Sequence, residues 1–306
     1  MSKITVVGSF VTDMVATMSR FPHAGETVIG ERLRVYPGGK GANQCVAARR
    51  LGAQVAMVGM LGDDENGRNF RTLFEKEGID TKYVFTTRDE PTAVAQVQID
   101  QNSDNRICVI PGANYCFTPE HLEKAKSAIA DADMVIAQLE LTMDVTDVLA
   151  KLCAELGVPL MLNPAPAAPL SEEVLKNVTY LTPNESELSV LTGLPADTNE
   201  EVAAACKALL KKGVKTVVAT LGNRGAYAAT AEGGRFVETF KVKPVDTVAA
   251  GDSFNAALAV AITEGKSLYE ALRFANAMGA LTVQVKGAIP SLHSREKVEE
   301  FLHSRA

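Results

Sequence analysis

Six short apolar runs stand out along the chain: ITVVG (residues 4–8), VAMVGML (55–61), MVIAQLE (134–140), VPLMLN (158–163), VTYLTP (178–183) and TVVAT (216–220). They are rich in Val, Ile and Leu with little polar alternation, the pattern of parallel strands covered on both faces. Between them lie helical patterns, NQCVAARRLG, NGRNFRTLFEKEG, DVTDVLAKLCAELG and EEVAAACKALLKKG, each stopping at or near a glycine, as helix C-termini commonly do. Alternating strands and helices predict an α/β fold with a doubly wound, mostly parallel central sheet flanked by helices.

Two stretches break this rhythm. GETVIGERLRVYP (25–37) and TAVAQVQIDQNSDNRICVIPG (92–112) alternate with period two and keep polar residues on one face. They predict antiparallel strands outside the main sheet, placed at about 14–37 and 92–112. Such strands suit a small β-sheet lid, an edge-pairing surface for a second subunit, or a decorated sheet edge. Without repeats or a low-complexity linker, residues 1–306 are expected to form a single domain.

Composition narrows the partners. A 46% hydrophobic content over 306 residues fills a sizeable core. The balance of 31 basic and 37 acidic residues, net −6, argues against nucleic acid and anionic membrane as partners. Cys45, Cys108, Cys116, Cys153 and Cys206 are scattered and odd in number, so neither a disulfide framework nor a zinc site is indicated. The amino terminus lacks a secretory pattern, and no apolar run reaches the ~18 residues of a membrane span. A cytoplasmic location is expected.

The chemistry concentrates in three places. PGGKGANQ (37–44) combines glycines at 38, 39 and 41 with a following helix, so backbone amides can approach a hydroxyl-rich or phosphorylated ligand. Its spacing is neither that of a P-loop nor that of a dinucleotide fingerprint. In VDTVAAGDSF (245–254), small residues at 249–251 bare backbone N–H groups at a helix start. Asp252 there either offsets the helix dipole or, beside those amides, takes a proton from an attacking hydroxyl. Acid and amides together supply what phosphoryl transfer requires, which favours the second role. In TPNESE (182–187), Asn184 and Glu187 are spaced both for a helix capping box and for sparse Mg²⁺ contacts. TLGNRG (220–225) suits a nucleotide loop or a tight turn. GDDENG (62–67) lacks calcium-loop spacing and reads as a turn and helix start, and His23, His121, His293 and His303 form no ligand cluster.

GSFVTD (8–13), GGKGANQ, NPAPA (163–167), TPNESE, TLGNRG, VDTVAAGD and KGAIPS (286–291) together resemble, almost end to end, the ribokinase branch of the ribokinase-like (PfkB) carbohydrate kinase family. The resemblance implies a ribokinase-like sheet with a β-lid through which two subunits clasp as a homodimer. It implies Asp252 as general base, an anion hole at Ala249, Ala250 and Gly251, and a sugar held by Asp13, Gly39, Lys40, Asn43 and Glu140. ATP would border Asn184, Thr220, Gly222, Gly225 and Asn276, with Glu187 and Asn184 organising Mg²⁺. Activation by K⁺ is implied, the matching positions being Asp246, Val248, Thr282, Val285, Gly287 and Ser291.

One position departs from the pattern. Ribokinases usually carry Asn two residues before the first sugar-binding Asp, and Val11 stands there. Val accepts no hydrogen bond, and a buried hydroxyl without a partner costs about 1–3 kcal/mol. Kinases of 2-deoxyribose also have an apolar residue at this place, so 2-deoxyribose is the nearest rival to D-ribose, whose 5-hydroxyl is the implied acceptor. Other members act on fructose, phosphorylated hexoses or nucleosides, but no extra basic residue stands near GGKGANQ to clamp a sugar phosphate. A non-catalytic sensor is the competing class, and it would have no use for an acid beside bared amides.

Overall fold

Strands made of consecutive apolar residues need cover on both faces, and the helices of this fold provide it. The computed structural model describes residues 1–102 and 104–305. Its strands are β1 (Lys3–Val7), β2 (Val11–Thr17), β3 (Arg32–Gly38), β4 (Gln54–Gly62), β5 (Asp80–Thr87), β6 (Val94–Ile99) and β7 (Asn105–Ile110). They continue with β8 (Met134–Gln138), β9 (Leu160–Asn163), β10 (Tyr180–Leu181), β11 (Thr216–Thr220), β12 (Ala226–Thr230) and β13 (Gly233–Val237). The helices are α1 (Lys40–Arg50), α2 (Glu65–Glu77), α3 (Pro119–Lys124), α4 (Lys126–Ala130), α5 (Met143–Leu156) and α6 (Glu172–Asn177). They are followed by α7 (Glu185–Thr192), α8 (Asn199–Lys211), α9 (Ala250–Thr263), α10 (Leu268–Thr282) and α11 (Arg295–His303).

The nine-stranded sheet runs β13-β12-β11-β10-β9-β8-β1-β4-β5, parallel except for the β11-β12-β13 edge. Alternate residues feed two cores. Ile4, Val6, Met57, Met134 and Ile136 pack with α1, α2, α9 and α10, whereas Val7, Val58, Val135 and Ala137 pack with α5, α7 and α8. Each helix lies on its sheet face for the reason its sequence suggests. For instance, α2 is capped by Asp64, whose Oδ1 accepts from the Gly67 amide at 2.7 Å, and ends on left-handed Gly78.

The chain leaves β1 toward β4 and β5 on one side and later returns to β8 on the other. That reversal opens a crevice at the carboxyl ends of β1 and β8, the place where doubly wound sheets take ligands.

A separate four-stranded sheet has the order β3-β2-β6-β7. It differs from the sequence expectation in two ways, at β3 and at β2. Strand β3 starts only at Arg32, because residues 25–31 lie outside any strand after a turn in which the Glu26 amide donates to the His23 carbonyl at 3.0 Å. As expected for 92–112, β6 and β7 are antiparallel strands outside the main sheet, and between them the Asp100 carboxylate accepts from the amides of Asn102 and Asp104. Strand β2, expected only from about residue 14, begins at Val11 and pairs parallel to β6 rather than antiparallel.

Candidate active site

Asp252 is the point of convergence. It lies in the first turn of α9, 7% exposed, and both carboxylate oxygens accept hydrogen bonds from α1: Asn43 Nδ2 to Oδ2 at 2.8 Å and Gln44 Nε2 to Oδ1 at 3.0 Å. The alanine-rich stretch of α9 allows this close approach, since Ala256, Ala257, Ala259 and Ala261 are fully buried. The glycine-rich segment expected to precede α1 runs into it: Gly38 ends β3, Gly39 is the N-cap and Gly41 lies in the first turn.

Glu140, just past β8, joins the two halves of the crevice. It accepts from the Ser9 hydroxyl and from the Lys40 backbone N–H at 2.9 Å, and Ser9 Oγ in turn accepts from the Gly41 N–H at 3.3 Å. Asp13 approaches from β2, paired with Tyr36 and Ala95. Gly38 makes room for it, since a Cβ there would lie 2.5 Å from Asp13 Oδ2. Val11, two residues along the same face of β2, packs with Ala93 and Ala95 in a small apolar cluster.

These acids feel one another. Burial, then the Glu140 and Asp252 carboxylates, push the Asp13 carboxyl up to about 6. Burial likewise raises Glu140 and Glu187, against hydrogen bonds and the Lys40 charge that favour their ionised forms. For Lys40, burial pulls the ammonium down, but Asp252, Glu140 and Glu187 outweigh it and hold the group above its ordinary value. A charged lysine facing these acids gives the acidic crevice a local cation for an incoming anion.

At the mouth of α9, Ala249 adopts φ +60°, the only left-handed non-glycine residue among those described. This backbone costs on the order of 1 kcal/mol. Among the described residues the amides of Ala249 and Gly251 have no acceptor, whereas that of Ala250 donates to the Thr247 carbonyl at 3.3 Å. Two free amides, not the expected three, therefore stand open beside Asp252. A Cβ on Gly251 would meet nothing within 4 Å. Gly251→Ala is thus expected to keep or slightly raise Tm while a methyl in that open space lowers turnover about 10- to 100-fold. Thermal melts and ADP release read the two effects separately, and undiminished turnover would show that no reacting group passes there.

The remaining candidates form two loop clusters. Asn184 and Glu187 make a complete capping box: Asn184 Oδ1 accepts from the Glu187 amide at 2.8 Å, and Glu187 accepts from Asn184 N and Nδ2, both at 2.9 Å. Asn184 bridges to Thr220 at the end of β11, and Arg224 of the next turn pairs with Glu185 at 2.8 Å. Gly222 is exposed on this turn. Gly225 is there for packing, because a Cβ would lie 2.1 Å from the Val237 carbonyl. Asn276 engages its Nδ2 with the carbonyls of Val237 and Glu238 at 3.1 and 3.2 Å, which leaves Oδ1.

In the second cluster, Asp246 ties two loops together, accepting from Val248 N at 3.1 Å and Gly287 N at 2.9 Å. The hydroxyls of Thr282 and Ser291 donate to the carbonyls of Met278 and Ala288. Asp246 keeps acceptor capacity on both carboxylate oxygens, and backbone carbonyls at these positions and at Val285 are further oxygens for a cation.

Sequence reasoning did not single out Ser9, Gln44, Gln138 and Asn163. Gln138 and Asn163 are polar residues closing otherwise apolar strands, and all four are buried. A polar side chain at the buried carboxyl end of a parallel strand was the available signal.

A doubly wound sheet, a buried acid at the crevice and free helix-start amides beside it define a phosphotransferase with an alcohol acceptor. The chain belongs to the pfkB family of carbohydrate kinases, whose model matches residues 1–295. It is 41% identical over 302 residues to the ribokinase of Bacillus subtilis, covering 99% of this chain and 100% of that one. It is 33% identical over 300 residues to the deoxyribokinase of Salmonella typhi, covering 98% of each. The solved structure of Arabidopsis thaliana ribokinase complexed with ribose and ATP superposes with a TM-score of 0.94 at 36% identity, covering 99% of both chains.

Proposed function

We propose that the protein transfers the γ-phosphoryl group of ATP to the 5-hydroxyl of D-ribose, giving D-ribose 5-phosphate and ADP. The observation that carries this is Asp252, held as a double acceptor at the junction of the glycine-rich start of α1 and the free amides of α9. Asp252 takes the hydroxyl proton, the amides of Ala249 and Gly251 receive charge on the transferring group, and the turn at Ala250 shapes them. Asp13, Gly39, Lys40, Asn43 and Glu140 hold the sugar, whose hydroxyls suit this ring of acceptors and donors. Asn184, Thr220, Gly222, Gly225 and Asn276 border ATP.

Glu187 with Asn184 fits Mg²⁺. Each Glu187 oxygen has one amide donor and capacity for another partner, and magnesium bound sparsely there would offset phosphate charge. K⁺ fits the loops stapled by Asp246, held by carbonyls at Val248, Thr282, Val285, Gly287 and Ser291. The small sheet serves as the lid. Its edge strands β3 and β7 and its exposed Leu33, Val35, Ile107 and Val109 support pairing with a second copy. Five free cysteines support a reducing cytoplasm, and no helix among the described residues is long and apolar enough to cross a membrane.

The alternative acceptor is 2-deoxyribose, favoured by the buried apolar cluster of Val11, Ala93 and Ala95 beside Asp13. A coupled ADP-release assay on ribose, 2-deoxyribose, fructose and adenosine, with and without K⁺, decides the substrate. The proposal fails if none of the sugars is turned over. In the same assay Val11→Asn is expected to shift the kcat/KM ratio toward ribose by about 10-fold, because the carboxamide supplies a hydroxyl partner. An unchanged ratio would remove Val11 from the account of selectivity.

A further inference from the structure

Behind Asp252 runs a chain of buried side-chain amides whose direction is set at both ends, by the Thr182 carbonyl and by the Asp252 carboxylate. The Thr182 carbonyl can only accept, so Asn163 donates to it through Nδ2 at 3.3 Å and must turn Oδ1 toward Gln44. Gln44 then donates through Nε2 both to Asn163 Oδ1 at 3.2 Å and to Asp252 Oδ1 at 3.0 Å. That leaves Gln44 Oε1 to accept from Gln138 Nε2 at 2.7 Å. Gln44 is fully buried and Gln138 is 2% exposed. Gln138 fits because residue 8 is glycine, where a Cβ would lie 2.2 Å from Gln138 Oε1. The other carboxylate oxygen is treated differently. Asn43 donates to Asp252 Oδ2, but its own Oδ1 is buried without a partner, so no protein contact of the side-chain oxygen fixes which way that amide faces.

We propose that Gln44, oriented by Asn163 and Gln138, is a positioning residue that keeps Asp252 Oδ1 a permanent acceptor, so that the proton released in the reaction is received at Oδ2. This rests on Asp252 being the base. The substrate oxygen forms its bond to the γ-phosphorus, the bond to the β-phosphate oxygen breaks with its electron pair leaving on ADP, and the hydroxyl proton goes to Oδ2. Asn43 turns its free Oδ1 to accept from the new O–H. The titratable groups facing Asp252 are Lys40 of α1, Asp13 of β2, Glu140 after β8 and Glu187 of α7, and none of them hydrogen-bonds Gln44.

The test is the acidic limb of kcat at saturating ribose and ATP, which reports the ternary complex. Gln44→Met removes the donor at similar volume and should move the limb up by about one pH unit, and Gln44→Glu, which sets a second carboxyl against Oδ1, should move it further. Ribose KM should change by less than about threefold. If Gln44→Met does not fold, Gln44→Leu removes the same donor in a smaller side chain and should shift the limb the same way. A limb that stays in place in folded variants, or a loss of kcat equal at every pH, overturns the positioning role. Asp252→Asn separates the two layers: surviving turnover there removes the base, whereas lost turnover with an unmoved Gln44 limb removes only the proposal made here.

Discussion

Asp252→Asn is expected to bind ribose within about threefold of the parent protein while losing about 10²–10⁴-fold in kcat. The substitution is nearly isosteric. Its Oδ1 still accepts from Gln44, and Asn43, whose own Oδ1 is unpartnered, can turn to accept from the new amide. The pocket is therefore preserved and the ability to take a proton is removed. Calorimetric titration with ribose measures the first effect and ADP release the second. Turnover within about tenfold of the parent would mean that the proton leaves by another route, and Asp252 would revert to a carboxylate that offsets the α9 dipole.

Gly41→Ala is expected to cost about 3 kcal/mol or more of stability, lowering Tm by about 5–10 °C. Helix propensity alone says the reverse, since Gly41 lies in the first turn of α1 and alanine there should gain about 0.5–1 kcal/mol. The close approach of α1 to the end of β1 decides the sign. A Cβ on Gly41 would lie 2.4 Å from Ser9 N and 2.7 Å from both Gly8 C and Ser9 O, all main-chain atoms that cannot rotate away. Separating the two segments also breaks the Gly41–Ser9–Glu140 connection, so ribose binding should weaken with stability. Thermal denaturation of the variant checks this, and a Tm equal to or above that of the parent would contradict it. Gly251→Ala makes the same change in the first turn of α9, where nothing lies within 4 Å, and so tests space rather than stability.

The pair shows where local sequence rules stop. Gly41 and Gly251 each sit in a short glycine-containing motif at a helix start, and nothing within either motif says which one is wedged against a strand. The same limit appears at Asn184 and Glu187, whose spacing served capping and metal binding equally. The structure displays the capping box and still leaves each Glu187 oxygen room for another partner. Of β2 only the part from about residue 14 was expected, and its start at Val11 and its parallel pairing with β6 depend on a partner distant in sequence.

Sequence by itself determined the layered α/β architecture, since runs of Val, Ile and Leu need cover on both faces and helical stripes provide it. It also marked Asp252 and the small residues at 249–251, because acid and bare backbone announce their chemistry locally, whereas Asn43 came only from the family resemblance. Only the tertiary structure decided that Ala250 turns its amide away, that β2 runs parallel to β6, and that Gln44, Gln138 and Asn163 line up behind Asp252. The physical reason is that hydrogen-bond direction and steric contact depend on atoms brought together from distant segments. A pattern of polarity along one segment carries no information about who faces it.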